Sequence, residues 1–328
     1  MKSRVAYFDQ MKAVAIILVV VGHLIQFCFG MTGTDVNRWL EIFQMPVFFF
    51  ISGYFAYKVL TSRRDIFMQL WKKIHSIAIP LLMWCFVWTL THEGESFIQM
   101  LSRCGGKYWF LYTLAILSGF FILYEQLAQK AKKPWLYMAV WGLPFIVLLA
   151  TKLMGGGNQW MPIDSLANYY RYYLIGFLCG KYVRLYNLLF YHPVSYAIGF
   201  IVLALQFVYA DKCNYVLVFL GALGGIILLQ GVFASISDVE NNKSRLLKAL
   251  AFVGTKTLPI YLIHYFFIPD MKRYGELLIG IGNPFIIHLA VCLLLALAII
   301  IVSLLVEHII DKNKYLAWLL LGKALNKK

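Results

Sequence analysis

The stretch "DQMKAVAIILVVVGHLI", residues 9–25, begins with an acid and a base and continues as an apolar run that contains a histidine. His23 follows Lys12 by about 16 Å along an ideal helix, and both project from nearly the same face. Asp9 lies within about 60° of that face. Ionisable groups this far into a membrane helix usually face a protein-lined or wet cavity. The stretch therefore predicts either a functional histidine or one that hydrogen-bonds a neighbouring helix.

The composition is typical of a membrane protein. Of 328 residues, 61% are hydrophobic and 14% are charged, whereas soluble domains are near half apolar and a quarter charged. Ten apolar runs approach the roughly 20 residues that a spanning helix needs. They lie near residues 13–30, 42–57, 76–90, 108–124, 135–151, 166–180, 194–210, 214–233, 249–268 and 284–306. The sequence predicts an all-α polytopic membrane protein with about ten transmembrane helices.

The net charge of +15 is explained by topology rather than by nucleic-acid binding. With the N-terminus inside, most of the 30 Lys and Arg residues fall on the inner side, as the positive-inside rule requires. Both termini are therefore predicted to be cytoplasmic. We expect a transmembrane domain over residues 1–310 and an amphipathic cytoplasmic tail over residues 311–328, with no cleavable signal peptide.

Other catalytic chemistries find little support in the sequence. The six cysteines form no CxxC pair and are interpreted as small hydrophobic residues, so no metal site is predicted. No GxSxG is present, and the acids near the spans, Glu41 and Glu307, are not clearly placed beside His23. The orienting partner of His23 is therefore not identified from sequence.

Four segments resemble the acyltransferase 3 family of integral membrane acyltransferases, and most closely its fucose 4-O-acetylase-like branch. They are "RVAYFDQMKAVAIILVVVGH" (residues 4–23), "QMPVFFFISGYF" (44–55), "KYWFLYTLAIL" (107–117) and "GTKTLPIYLIH" (254–264). They carry a basic residue and a His with ten residues between them, the Pro-aromatic-Ser-Gly run, the Trp-Phe-Leu start and the Tyr-Leu-x-His ending. The matches follow one another in the family's order over nearly the whole chain.

The resemblance implies an O-acyltransferase, in most cases an O-acetyltransferase of a bacterial-type inner membrane. His23 is then the catalytic base, acetyl-CoA or another acyl-CoA is the donor substrate, and a sugar or glycan hydroxyl is the acceptor, with no tightly bound cofactor. An alcohol needs such a base, and imidazole suits the task near neutral pH. His264 is predicted to orient the base or polarise the thioester carbonyl, and a purely packing role is an equal alternative.

The phosphates of coenzyme A should prefer the basic inner face. The candidate donor-binding residues are Lys12, Arg63, Arg64, Lys72 and Lys73. The family commonly has two arginines three apart at the start of its third helix, where this chain has Lys73 and Ser76. The positive charge survives there, but the bidentate guanidinium geometry does not. Topology alone is the alternative explanation for these charges.

Aromatic side chains supply candidates for acceptor binding. Trp109 and Tyr261 are predicted to wall the pocket, and Arg171 within "NYYRYY" (168–173) is placed to meet a sugar. An aromatic belt at the membrane interface is the alternative for all three positions.

Two other functions compete with acyl transfer. A transporter or flippase could use His23 and His264 in a substrate or proton path, but no internal repeat is visible in the sequence. A non-catalytic partner in envelope polysaccharide assembly is the second. Beyond acyl-CoA, a glycan acceptor and the lipid bilayer, no partner is predicted, and the oligomeric state is left open.

Overall fold

The structure, a computed structural model, describes residues 6–31, 40–42, 44–92, 94–156, 160–209, 215–237, 244–279 and 284–325. Every regular element within these ranges is helical, which confirms the all-α class. The α-helices are α1 Ala6–His23, α2 Gln44–Ala56, α3 Arg63–Lys73, α4 Ile79–Thr91, α5 Phe97–Ser102, α6 Trp109–Ala128, α7 Pro134–Leu153, α8 Ile163–Lys181, α9 Val183–Phe190, α10 Pro193–Val208, α11 Tyr215–Ser237, α12 Arg245–Thr255, α13 Thr257–Ile263, α14 Lys272–Ile279, α15 Pro284–Asp311 and α16 Lys314–Leu321.

Shorter turns extend or join several of these helices. π-Helical turns at Leu24–Cys28 and Ile74–Ala78 follow α1 and join α3 to α4. 3₁₀ turns at Gly106–Tyr108 and His264–Phe267 precede α6 and follow α13.

The predicted count of ten spans is not confirmed. In the described part of the chain, six helical segments are long and apolar enough to cross a membrane: Ala6–Cys28, Arg63–Thr91, Phe97–Ala128, Pro134–Leu153, Tyr215–Ile236 and Leu289–Asp311. Counting the bent pairs α9–α10 (61°) and α12–α13 (64°) as single spans gives eight. The remaining two predicted spans coincide with α2, which has only 13 residues, and with α8, whose tyrosines, Asp164 and Arg171 make it too polar.

The chain divides into two compact units, and the transmembrane domain over residues 1–310 with its tail stays a prediction. The first unit comprises Met1–Phe48 and Tyr182–His308, and the second comprises Phe49–Lys181 and Ile309–Lys328. The limits predicted for the tail stay a prediction. Its helix α16 packs on α4, where the Trp84 indole donates to the carbonyl of Leu320 at 2.9 Å and Ala317 and Leu321 are buried.

In the first unit, α1 packs along α12 and α13. Gly254, near the end of α12, lies against the backbone carbonyl of Asp9, and a Cβ at Gly254 would collide with that oxygen. The glycine therefore sets how closely the two helices approach. Gln10 adds a hydrogen bond to the carbonyl of Leu247 at 3.4 Å.

In the second unit, the "ISG" segment of α2 makes a reciprocal glycine contact with α8. A Cβ at Gly53 would meet the carbonyl of Tyr173, and a Cβ at Gly176 would meet the carbonyl of Phe50. A close helix contact therefore explains this part of the second family-like segment.

A buried ion pair joins α6 and α8 in the second unit. The Glu125 carboxylate, 3% exposed, accepts from Lys181 at 2.9 Å, from Gln129 at 3.0 Å and from the Tyr137 hydroxyl at 2.7 Å. A buried carboxylate with this many donors is compensated, whereas removing one partner of such a pair is strongly destabilising. These contacts indicate a structural role for Glu125.

Gly254→Ala is expected to destabilise the protein by about 1–3 kcal/mol, because the new methyl group collides with backbone that cannot rotate away. The measurement is thermal unfolding of the purified protein in detergent. Gly119→Ala is the matched control, since nothing lies within 4 Å of the added Cβ there and alanine favours a helix. Equal melting temperatures for Gly254→Ala and the wild type would contradict the packing argument.

Candidate active site

His23 ends the regular part of α1, and the π-helical turn Leu24–Cys28 begins immediately after it. Such turns inside α-helices are rare and occur frequently at functional sites. The ring is partly exposed, whereas the apolar residues before it on the same helix, Val20 and Val21, are fully buried. His23 is therefore a polar group that can be reached from outside, at the end of a buried apolar helix.

A break between α12 and α13 sets the position of the second histidine, His264. Lys256 has φ −106° and ψ 15°, outside helical geometry, and the chain bends by 64° there. Pro259 lies in the first turn of α13, where its missing N–H and fixed φ are tolerated. The 3₁₀ turn His264–Phe267 then follows, so that His264 and Tyr265 stand next to each other at the end of the span.

Three polar side chains of the first unit form the site, here called the histidine cluster: His23, His264 and Tyr265. His23 Nδ1 lies 2.8 Å from His264 Nε2, and the Tyr265 hydroxyl lies 3.1 Å from His23 Nε2. The two imidazole planes are nearly parallel, with 5.1 Å between ring centroids. His264 is 0% exposed and Tyr265 is 5% exposed, so His23 is the accessible member of the cluster.

One carbonyl oxygen sets the direction of every hydrogen bond in the cluster. His264 Nδ1 lies 3.0 Å from the carbonyl oxygen of Ile260, and a carbonyl can only accept. His264 Nδ1 therefore carries a proton, and in a neutral ring its Nε2 is an acceptor. His23 Nδ1–H then donates to His264, and His23 Nε2 is left with a lone pair that accepts from the Tyr265 hydroxyl. The basic nitrogen of His23 is thereby assigned to Nε2.

Aromatic rings complete the surroundings of the cluster. Tyr261, 4% exposed, lies with its ring centroid 5.9 Å from that of His264, and Phe27 lies 5.5 Å from His23. The structure thus brings three sequence-predicted residues together, namely His23, His264 and Tyr261. Tyr261 is buried, whereas Phe27 is 41% exposed and His23 is partly exposed.

Lys12 is in the same unit but is already paired. Its ammonium forms an ion pair of 2.7 Å with Asp9, three residues earlier on α1. This confirms that Asp9 and Lys12 share a face of the helix. The carboxylate offsets much of the charge that Lys12 was predicted to offer to a phosphate. Lys256, at the break, is likewise paired with Glu307, at 2.7 Å.

The other predicted donor-binding residues belong to the second unit. Arg63 and Arg64 are exposed at the start of α3, Lys72 is exposed and Lys73 partly buried at its end. Lys58 joins them: its ammonium donates to Gln69 at 2.8 Å. Burial, together with the positive charge of Lys72, lowers the pKa of Lys58.

We call Lys58, Lys72 and Lys73 the lysine cluster. None of the ion pairs among the described residues involves these three ammonium groups. The carboxylate of Asp65 on the same helix is committed to a capping box, where it accepts from the backbone N–H and hydroxyl of Ser62. The cluster thus keeps an excess of positive charge that an anion would compensate.

The two remaining predicted residues lie in the second unit. The Trp109 ring stacks on Tyr169 with 5.4 Å between centroids, and Tyr169 stacks on Phe49 at 4.5 Å. The Arg171 guanidinium lies 5.2 Å from the centre of the Tyr172 ring, and its Nε donates to the carbonyl of Asn168 at 3.1 Å. These contacts fit a flat aromatic surface as well as ordinary packing, so acceptor binding here stays a prediction.

Sequence reasoning missed Tyr265 and Lys58. Tyr265 directly follows the Tyr-Leu-x-His segment, so its position next to His264 was visible, but its hydrogen bond to His23 depends on the 3₁₀ turn. Lys58 lies between α2 and α3 and belongs to no sequence motif. Its position near Lys72 depends on the path of the chain between Lys58 and the start of α3. His264 Nε2 lies within hydrogen-bond distance of His23 Nδ1, as the orienting role predicted for His264 requires, and that role stays a prediction.

Comparison with known proteins gives two kinds of match. A protein-family model described as "Acyltransferase domain" matches residues 5–305. A nodulation protein NolL of Mesorhizobium japonicum is 27% identical over 191 residues, which cover 53% of this chain and 47% of the relative. A nodulation protein NolL of Sinorhizobium fredii is 30% identical over 148 residues, covering 40% of this chain and 39% of the relative. The chain thus spans less than half the length of these relatives, and no solved structure matches it.

Proposed function

The chain belongs to the acyltransferase family that it matches over residues 5–305, and we propose that it is a membrane O-acyltransferase acting on a sugar or glycan hydroxyl. The donor is acyl-CoA, in the simplest case acetyl-CoA, and His23 is the base. The observation that carries the proposal is the hydrogen-bond chain from the Ile260 carbonyl through His264 to His23 Nδ1, which in a neutral His23 leaves the lone pair on Nε2.

In the proposed reaction, the acceptor hydroxyl oxygen forms a bond to the carbonyl carbon of the thioester. The hydroxyl proton passes to His23 Nε2, the carbon–sulfur bond breaks, and the proton is returned to the departing sulfur. The products are an ester and free coenzyme A. Positioned base catalysis of this kind typically contributes about 10²–10⁴-fold to the rate.

His264 orients the base and shares the charge that develops on it. Its Nε2 accepts from His23 Nδ1, which holds the ring in the productive tautomer, much as a carboxylate does in a Ser-His-Asp triad. When His23 takes up the proton, the positive charge spreads toward His264, whose Nδ1–H is bonded to the Ile260 carbonyl. Hydrogen-bond chains polarise one another in a low-dielectric interior, so this linkage strengthens as charge develops.

The lysine cluster, together with Arg63 and Arg64, is the proposed site for the donor's phosphates. Coenzyme A carries a pyrophosphate and a 3′-phosphate, and lysine binds phosphate as a flexible point charge. Lysine in place of the arginines that the family commonly has should therefore preserve the attraction for the phosphates of coenzyme A but reduce the geometric selectivity of their binding. These charges hold groups remote from the reacting carbon in both ground and transition states.

The base assignment predicts that His23→Ala and His23→Gln each lower acetyl transfer by about 10²–10⁴-fold. The glutamine variant keeps a hydrogen-bonding group of similar size but has no basic nitrogen. The measurement is incorporation of labelled acetyl from acetyl-CoA, with His308→Gln as an exposed-histidine control. Substantial product from both His23 variants, with normal expression and folding, would rule out His23 as the base.

The donor-site assignment predicts that the double variant Lys72→Ala/Lys73→Ala raises KM for acetyl-CoA more than it lowers kcat, since uniform binding is removed. The variant should also discriminate less between acetyl-CoA and acetyl-dephospho-CoA, which lacks the 3′-phosphate. The control is Lys312→Ala/Lys314→Ala, which removes the same charge from exposed positions. An unchanged KM and unchanged discrimination would assign the pair to topology alone.

The spacing of Lys12 and His23, about 16 Å along α1, predicts that donor and acceptor reach the protein from opposite sides. Coenzyme A should enter from the cytoplasm, and the acceptor should reach His23 from the outer face. In sealed inverted vesicles with acetyl-CoA outside, an impermeant sugar acceptor should be acetylated only when it is loaded into the lumen. Full activity with both substrates outside would contradict this arrangement.

A further inference from the structure

We propose that the hydroxyl of Tyr265 caps the basic nitrogen of His23 until an acceptor hydroxyl replaces it, and that this cap suppresses hydrolysis of the acyl donor. The inference rests on the proposed function, because it takes His23 as the base. It adds a positioning residue that acts through His23 and explains how a thioester could survive beside a base with no acceptor bound.

Both ring nitrogens of His23 are occupied in the structure. Nδ1 is 2.8 Å from His264 Nε2, and Nε2 is 3.1 Å from the Tyr265 hydroxyl. The bond at Nδ1 selects the tautomer and must persist during catalysis. An acceptor hydroxyl can therefore reach a free lone pair only where Tyr265 now donates.

For an acceptor to reach His23 Nε2, the hydrogen bond from the Tyr265 hydroxyl has to open. Tyr265 is 5% exposed, and its ring packs at 4.2 Å from His264 and 4.7 Å from His23, centroid to centroid. The partly exposed group is His23, so an incoming molecule meets the imidazole first. A small rotation of the buried tyrosine would open the hydrogen bond while its ring stays packed.

The chemistry of the two groups makes Tyr265 a cap rather than a proton source. A phenol is a much weaker acid than an imidazolium, so the proton stays on the tyrosine oxygen and His23 stays neutral. His23 Nε2 is then unprotonated, but its lone pair accepts the hydrogen bond from the Tyr265 hydroxyl. Opening one hydrogen bond restores it without any change of protonation.

A cap of this kind discriminates between water and a bound acceptor. In hydrolysis, a water oxygen bonds to the thioester carbon, its proton passes through His23 Nε2 to the sulfur, and a carboxylic acid and free coenzyme A leave. Water offers Nε2 one hydrogen bond, the same that Tyr265 provides from within the protein. A glycan held by further contacts has a far higher effective concentration at that nitrogen and can displace the tyrosine.

The first test measures hydrolysis with acetyl-CoA alone, using the purified full chain in proteoliposomes and the release of free thiol as the signal. Tyr265→Phe removes one oxygen and should raise hydrolysis about two- to twelvefold, the factor that one hydrogen bond of ordinary net strength represents. The double variant His23→Gln/Tyr265→Phe should return to background, and Tyr209→Phe, at an exposed tyrosine of the same unit, should equal the wild type. A folded Tyr265→Phe protein that hydrolyses no faster than the wild type would overturn the cap.

The second test does not depend on acyl transfer. Diethyl pyrocarbonate reacts with an unprotonated imidazole nitrogen, so mass spectrometry of the His23 peptide should show faster labelling in Tyr265→Phe, with exposed His192 as the internal reference. Faster labelling in a protein without transferase activity would support the cap and count against the proposed function. Transferase activity that depends on His23, with unchanged labelling and unchanged hydrolysis, would remove the cap and leave the proposed function standing.

Discussion

The arrangement of the histidine cluster depends on the hydrogen bond between His264 Nδ1 and the carbonyl oxygen of Ile260. A carbonyl accepts and never donates, so this one contact decides which nitrogen of His264 is protonated, and through it which nitrogen of His23 is basic. Ile260 is four residues before His264, and its carbonyl also accepts from the backbone N–H of His264 at the end of α13. The direction of the hydrogen bonds in the histidine cluster is thus set by the last turn of the short helix α13.

That last turn lies where it does because the span is broken. A continuous helix through Lys256 would carry α12 and the segment after it along one axis, whereas the 64° bend redirects α13. Gly254 holds the chain against Asp9 just before the bend, and the paired histidines hold it against α1 after the bend. The ion pair of Lys256 with Glu307 compensates charges that the break leaves inside an apolar region. The contact of Gly254 with Asp9 and the contact of His264 with His23 therefore fix the position of the His264 ring against α1.

The fold class followed from the composition and the length of the apolar runs, and His23 was predicted as a candidate because it is a polar residue deep in one of those runs. His264 was also predicted, because a second histidine closes another apolar segment. The sequence predicted that His264 could orient His23 but not the geometry of that contact, since it requires a bend at Lys256 and a 3₁₀ turn after Ile263, neither of which has a sequence signature beyond Pro259. The predicted number of spans is not confirmed at two elements: α2 is apolar but short, and α8 is long but polar. The pairing of Lys12 with Asp9 agrees with their i,i+3 spacing on one helix.

A histidine rather than a carboxylate beside the proposed base is physically suited to an apolar site. Desolvating an isolated carboxylate is far more unfavourable than burying a neutral imidazole. In the proposed mechanism, both rings of the His23–His264 pair are neutral before the acceptor arrives, and one positive charge exists only while the proposed base holds the acceptor's proton. The pair can therefore lie in a helix of membrane-spanning character without a compensating ion. The same neutrality makes a phenol sufficient to engage the lone pair, because no salt bridge has to be broken when the acceptor arrives.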